Sequence, residues 1–243
     1  MAGDVGGGRN VRALILVAAT IAIGVASACS LLGSTWRYRY RMAVEVETPE
    51  GVNTGFGVYE QTVGKSNVDF GELSAKRGVR TRGEAVAVDL PNGQTLFALM
   101  PDSEVAQAAL DPQWHNDWVE SAQRISSGRT PRSPLPIRPA PASDPPAPQD
   151  KGPVLIRFRD IEDPGTVEQV DPADLAASFG PGVRLRAITV QVTDDPVTVG
   201  IEKRLNWLRG YFDRSFTGER FTNPYGRLIE NLRAGSFSTE LRP

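Results

Sequence analysis

The sequence predicts an α+β protein: an N-terminal transmembrane helix followed by a β-hairpin-rich domain with short helices. Three observations carry that expectation. An uncharged run extends from Ala13 to Trp36, residues 36–47 alternate apolar and charged, and Asn92-Gly93 sits between two apolar runs. Hairpins, then helices, then mixed strand and helix is the element order of an α+β fold.

The apolar run comes first. Twenty-one residues from Ala13 to Gly33 carry no charge and directly follow Arg9 and Arg12. About 20 apolar residues cross a bilayer core as a helix, and the run exceeds the roughly 7–15 residues of a cleavable signal. It has no polar face, which argues against a helix buried in a water-soluble core. Three fates fit. The favoured one is an uncleaved signal anchor over 13–35, behind a short tail at 1–12. A second is a lipoprotein signal, with Ala26-Ser27-Ala28 placing small residues before an acylatable Cys29. The third is cleavage after Ala28. Arg37, Arg39 and Arg41 follow the run, so the positive-inside count is nearly balanced. The short tail ahead of a large domain favours a single pass in the inner membrane with the C-terminal domain in the periplasm.

Residues 36–125 read as a β-rich part with two hairpins. Trp36, Tyr38, Tyr40, Met42, Val44 and Val46 alternate with Arg37, Arg39, Arg41, Glu45 and Glu47, the pattern of a half-buried strand. Thr48-Pro49-Glu50-Gly51 is turn chemistry, and Val52–Val63 returns, loosened by Gly55 and Gly57. Gly64–Arg82 reads as a polar loop with Lys65, Lys76, Arg77, Arg80 and Arg82. The second hairpin spans Glu84–Leu90 and Gln94–Met100 around Pro91-Asn92-Gly93. Asp102 or Ser103 caps a helix over Glu104–Leu110, and another from about Gln113 to Ile125 aligns Trp114, Trp118, Ala122 and Ile125.

Residues 126–152 break the pattern, with eight prolines between Ser126 and Asp150. Such a stretch is extended and semi-rigid, either a linker or an exposed excursion. Residues 153–243 form an α+β part that either joins 36–125 in one composite domain or stands alone. It opens with strand Val154–Arg159 and a turn at Asp163-Pro164-Gly165. Asp171 then caps a helix that Gly180-Pro181 ends. Strand Val183–Thr193 switches apolar face, which predicts a β-bulge near Arg186–Ala187. Ile201, Leu205, Leu208 and Phe212 form a helical stripe. The tail packs Phe216, Phe221, Tyr225 and Phe237 against the body, with a short helix at Pro224–Leu232.

Five segments, Tyr40–Gly51, Arg82–Leu90, Arg157–Asp160 with Asp171–Val183, Thr193–Thr198 and Asn231–Ser238, are similar to a family of uncharacterised proteobacterial proteins with one N-terminal membrane segment. The resemblance covers about half the chain. It implies an anchor plus an exported domain, supplies no catalytic residues, and suggests that the proline-rich segment is a variable excursion.

The chemistry is bounded mainly by subtraction. A net charge of −2 gives no basic stripe for nucleic acid. With one cysteine and one histidine, zinc and Fe–S sites built on those ligands are excluded. Gly64-Lys65-Ser66 lacks the glycine that a phosphate loop needs at position 59, where Tyr59 stands. His115 has Asp111, Asp117 and Ser121 near it in sequence, without a nucleophile elbow. Asp160, Glu162, Asp163, Asp171 and Asp174 offer carboxylates for calcium or for an envelope hydrolase, yet match no EF-hand spacing. Pro131-x-x-Pro134 and Pro136-x-x-Pro139 have polyproline II spacing. The basic stretch at 65–82 could meet anionic headgroups.

The expectation is therefore a membrane-anchored envelope protein with no cofactor and no catalytic residue, acting by binding or scaffolding with another envelope protein. Its expected partner surface comprises Trp114, Trp118, Lys76, Arg77, Arg80 and Arg82. The alternatives are a hydrolase built on 160–174, a lipoprotein acylated at Cys29, and a subunit of a larger membrane complex.

Overall fold

A computed structural model describes residues 34–65, 77–142, 151–220 and 226–241. The chain divides into two compact units, the larger formed by Trp36–Val63 and Val79–Pro243. The uncharged run, with Cys29, lies outside the described residues. Among the described residues, no helix is long and apolar enough to cross a membrane.

The architecture is α+β, with two antiparallel sheets and few, short helices. Five strands form the first sheet in the order β3-β2-β1-β9-β6: β1 (Ser34–Thr48), β2 (Gly51–Lys65), β3 (Arg77–Arg82), β6 (Leu135–Pro136) and β9 (Arg184–Val192). Four form the second in the order β4-β5-β7-β8: β4 (Val86–Asp89), β5 (Thr95–Ala98), β7 (Leu155–Phe158) and β8 (Val167–Gln169). Both sheets combine strands from either side of the proline-rich segment.

The alternation along β1 does what it predicts: Tyr38, Tyr40, Met42, Val44 and Val46 are buried and the residues between them are not. β9 pairs with β1 from Tyr40↔Val192 to Glu45↔Ala187, then resumes at Val46↔Leu185, leaving Arg186 as the extra residue of a bulge. That is where the apolar phase switches. The second sheet is covered on both faces, because β5 sends Leu96 and Ala98 to one core and Phe97 to another. The first core lies between the sheets and under α1 (Ser103–Leu110) and α2 (Trp118–Ser126). The second gathers Phe97, Phe158, Phe216 and Phe237 with Leu205 and Leu208.

Gly55 and Gly57 do more than loosen β2. A Cβ on Gly55 would stand 2.2 Å from the Ala87 carbonyl oxygen, and one on Gly57 3.2 Å from Val86 Cγ2. Glycine is needed because β4 crosses β2 at backbone distance.

Several elements differ from expectation for local reasons. Part of the expected basic loop is the edge strand β3, which shows no apolar alternation because Val79 and Arg80 are both exposed. The second helix begins at Trp118, because the Asp117 carboxylate caps it by accepting from the Val119 and Glu120 N–H groups. Trp114 therefore sits on a turn. The third helix, α3 (Leu175–Phe179), is capped by Asp174, while Asp171 only closes the turn before it through Ala173 N–H. Ile201, Leu205 and Leu208 are buried as expected, but two 3-10 turns (Ile201–Lys203 and Leu208–Tyr211) carry the stripe and leave Phe212 exposed. Of the expected helix over Pro224–Leu232 the described residues hold α4 (Leu228–Asn231), and α5 (Ala234–Phe237) follows it. Phe221 and Tyr225 lie outside the described residues. Pro136 pairs with Thr189 in the sheet, and Ile137 N–H donates to the Ile188 carbonyl, so that end of the proline-rich stretch is an edge strand.

Candidate functional site

The residue that organises the most distinctive surface is Glu84. It stands just ahead of β4, and it is 3 % exposed. No cation meets it. Its Oε2 accepts from Ile201 N–H at 2.9 Å, and its Oε1 accepts from the Ser238 hydroxyl at 3.0 Å. Burial raises its pKa, more than the Ile201, Gly200 and Ser238 hydrogen bonds lower it. One carboxylate thus ties the C-terminal segment and the 200–201 turn to the start of β4.

Neighbouring bonds extend the clamp. Ala85 N–H donates to the Phe237 carbonyl, Thr239 N–H to the Gly83 carbonyl, and Arg82 grips Glu240 with two nitrogens at 3.0 and 2.6 Å. Tyr59 hydroxyl donates to the Glu84 carbonyl at 2.6 Å and its ring stacks on Tyr40 at 5.1 Å.

Above this clamp opens a cleft of about 560 Å³, lined by Phe56, Ala85, Ala87, Val199, Lys203 and Arg204 among others. Its rim is apolar and unusually exposed: Phe56 is 55 % and Val199 62 % accessible. Phe56 carries the Arg41 guanidinium over its ring at 4.8 Å. Thr198 pins the 198–200 segment to β2 by exchanging bonds with Val58. Arg204 is paired with Asp89 through 2.6 and 2.9 Å bonds, whereas Lys203 is exposed with no acidic partner among the described residues. Among the described residues, the cleft offers apolar contact and one positive charge without an acidic partner, and its one lining carboxylate, Glu84, already uses both oxygens.

A pH prediction arises here. A carboxylate whose folded pKa is raised releases its proton later in the folded state than in the unfolded one. Its stability contribution is therefore full below the unfolded value, 4.5, and is lost as pH rises through the folded value. Glu84→Gln keeps an acceptor for Ile201 and offers a donor to Ser238. Chemical denaturation across pH is expected to show the variant gaining on the parent between pH 4.5 and neutrality. Glu84→Ala, which orphans both donors, should lose about 1–3 kcal/mol at any pH.

The described residues of the expected partner surface lie on different elements. Trp114 and Trp118 do meet, edge to face at 5.1 Å, but Trp118 packs on the first core and its carbonyl accepts from Gln107. Arg80 and Arg82 lie on β3, Arg77 begins it, and Lys76 falls outside the described residues. His115 pairs at the surface with Glu120 at 3.4 Å. Asp111 is committed to Arg124, through contacts of 3.0, 3.1 and 2.6 Å. The acidic segment is used locally. Asp160, Asp163, Asp171 and Asp174 each accept a backbone N–H two or three residues ahead, and Glu162 accepts from Asn206. Gly64 and Lys65 end β2 as strand, and Ser66 lies outside the described residues. Among the described residues no cluster of three or more His, Cys, Asp or Glu side chains is placed to hold a metal ion.

Glu84 was legible in principle, as an acid in phase with Val86 and Val88. Phe56 and Val199 were not, because one apolar residue in a strand or loop reads as core. No protein family, curated protein or solved structure matches this chain.

Proposed function

We propose that this chain is a membrane-anchored, non-catalytic binding module of the bacterial envelope, held in the inner membrane by the run at 13–35 with its folded part in the periplasm. The observation that carries the binding role is the cleft rimmed by exposed Phe56 and Val199 beside Lys203, which has no acidic partner among the described residues. Exposed apolar groups flanking a pocket mark contact sites, and an aromatic anchor is a common hot spot. The Lys203 cation selects the partner: an envelope protein presenting an apolar side chain next to a carboxylate. Consumption of the acidic segment in turns and caps favours binding over hydrolysis.

Site-specific photo-crosslinking in cells tests this. A photoreactive phenylalanine analogue at position 199 is expected to give one discrete adduct, which Lys203→Glu abolishes while the protein level stays unchanged. An adduct indifferent to Lys203→Glu, or none at position 199 or 56, contradicts the reading. With the captured partner in hand, Phe56→Ala should weaken binding by about 2 kcal/mol, roughly thirty-fold in Kd.

A further inference from the structure

The outward side of the first sheet carries a charge imbalance that the cleft does not explain. Period-two alternation places Arg37, Arg39 and Arg41 of β1 on that side, with Glu60 of β2 and Arg82 of β3. Arg80, two residues before Arg82, shares it. Among the described residues at this end of the sheet, five guanidiniums face three acids, while farther along β1 Glu45 and Glu47 are matched by Arg186 and Arg184. Glu60 is nearly buried and lies 3.1 Å from Arg39, 3.4 Å from Arg82 and 3.7 Å from Arg37. Asp195 takes Arg41, and Glu240 takes Arg82. The surplus is two positive charges, on a chain whose net charge is −2.

The surplus is localised. Arg37 has a side chain 64 % exposed and only the longest share of Glu60. Arg80 is exposed with no acidic partner among the described residues. Gly78 lies beside Gly64 and Arg82 beside Glu60, so β3 runs antiparallel to β2 and in the same direction as β1. Arg37 and Arg80 each stand two residues before a partner of Glu60, towards the beginnings of their strands. Two strand spacings separate them, roughly 10 Å. In the sequence Arg37 is four residues past Gly33, a reach of no more than about 14 Å of extended chain.

We propose that Arg37 and Arg80 dock this face on anionic phospholipid headgroups and so orient the folded part against the bilayer. The inference rests on the anchor reading above. The exposed Arg37 guanidinium, which only shares Glu60 with two other arginines, and the Arg80 guanidinium match phosphate geometry, and each basic residue at an anionic surface raises the bound population about fivefold. Phospholipid is the favoured occupant because the chain itself delivers this edge of the sheet to the membrane.

Arginine footprinting of the full-length chain in lipid nanodiscs tests it. The chain is reconstituted in phosphatidylcholine with or without phosphatidylglycerol, treated with phenylglyoxal and read by mass spectrometry. With phosphatidylglycerol, reactivity at Arg37 and Arg80 is expected to fall at least about fivefold and to recover in high salt. The exposed Arg209 and Arg227 should react equally in both lipids. Equal reactivity of Arg37 and Arg80 in the two lipids overturns the proposal. Carbonate washing of vesicles carrying the same chain tests the anchor separately, since release would overturn the anchor alone. The footprint of the released chain on phosphatidylglycerol vesicles would then still decide the docking.

Discussion

Gly83→Ala is expected to destabilise the protein by about 3–5 kcal/mol, which for a domain of this size lowers the melting temperature by roughly 10 °C. Two costs add. Gly83 has φ +153°, a conformation that side-chain-bearing residues rarely adopt, and a Cβ there would lie 2.4 Å from Cδ1 of Tyr59. That ring cannot retreat, because it is fully buried, stacked on Tyr40 and held by its hydroxyl on the Glu84 carbonyl. The strain should spread to the clamp, since Gly83 and Ala85 exchange backbone bonds with the 237–239 segment. Calorimetry checks the size of the loss. Gly210→Ala, where an added Cβ meets nothing within 4 Å, is the control and should fall within about 0.5 kcal/mol of the parent.

Arg124→Leu should cost a comparable amount for a different reason. Asp111 is 1 % exposed and Arg124 12 %, and they meet through the paired contacts that a planar guanidinium gives a carboxylate. Removing the cation leaves a buried, uncompensated carboxylate, at a cost of about 3–5 kcal/mol at neutral pH. The pH dependence identifies the cause. Burial pushes the Asp111 pKa up, but the Arg124 hydrogen bonds and charge, with Gln113 N–H, hold it below the usual carboxylate value. A depressed folded pKa contributes stability that is present above the unfolded value of 3.8 and lost as pH falls through the folded one. Denaturation midpoints of parent and variant are therefore expected to converge in acid. A gap that stays constant with pH would assign the loss to packing instead.

These two sites show where sequence reasoning reaches and where it stops. Elements set by near-neighbour chemistry were legible. The β1 alternation, the Asn92-Gly93 turn, the Asp102 helix cap and even the Arg186 bulge follow from side-chain phase and turn residues within a few positions. Ambiguity arose where two local structures accept the same signal. Asp171 and Asp174 can each close a turn or cap a helix, and the apolar spacing of Ile201, Leu205 and Leu208 suits 3-10 turns as well as an α-helix. Long-range contacts left almost no trace. Gly55 gives no sign that β4 will cross it, nor Gly83 that Tyr59 will lie against it. The cleft was illegible for the same reason: Phe56 and Val199 are more than 140 residues apart, and their exposure depends on where the 198–200 segment settles on β2.

The proposed anchored, exported topology underlies the proposed envelope role and the headgroup contact, and one measurement tests it most directly. Intact spheroplasts expressing a C-terminally tagged chain are treated with protease and the tag is followed on a gel. The account predicts loss of the tag without lysis, from a full-length product rather than one cut before Cys29. A tag protected until the cells are lysed would contradict it and place the folded part in the cytoplasm.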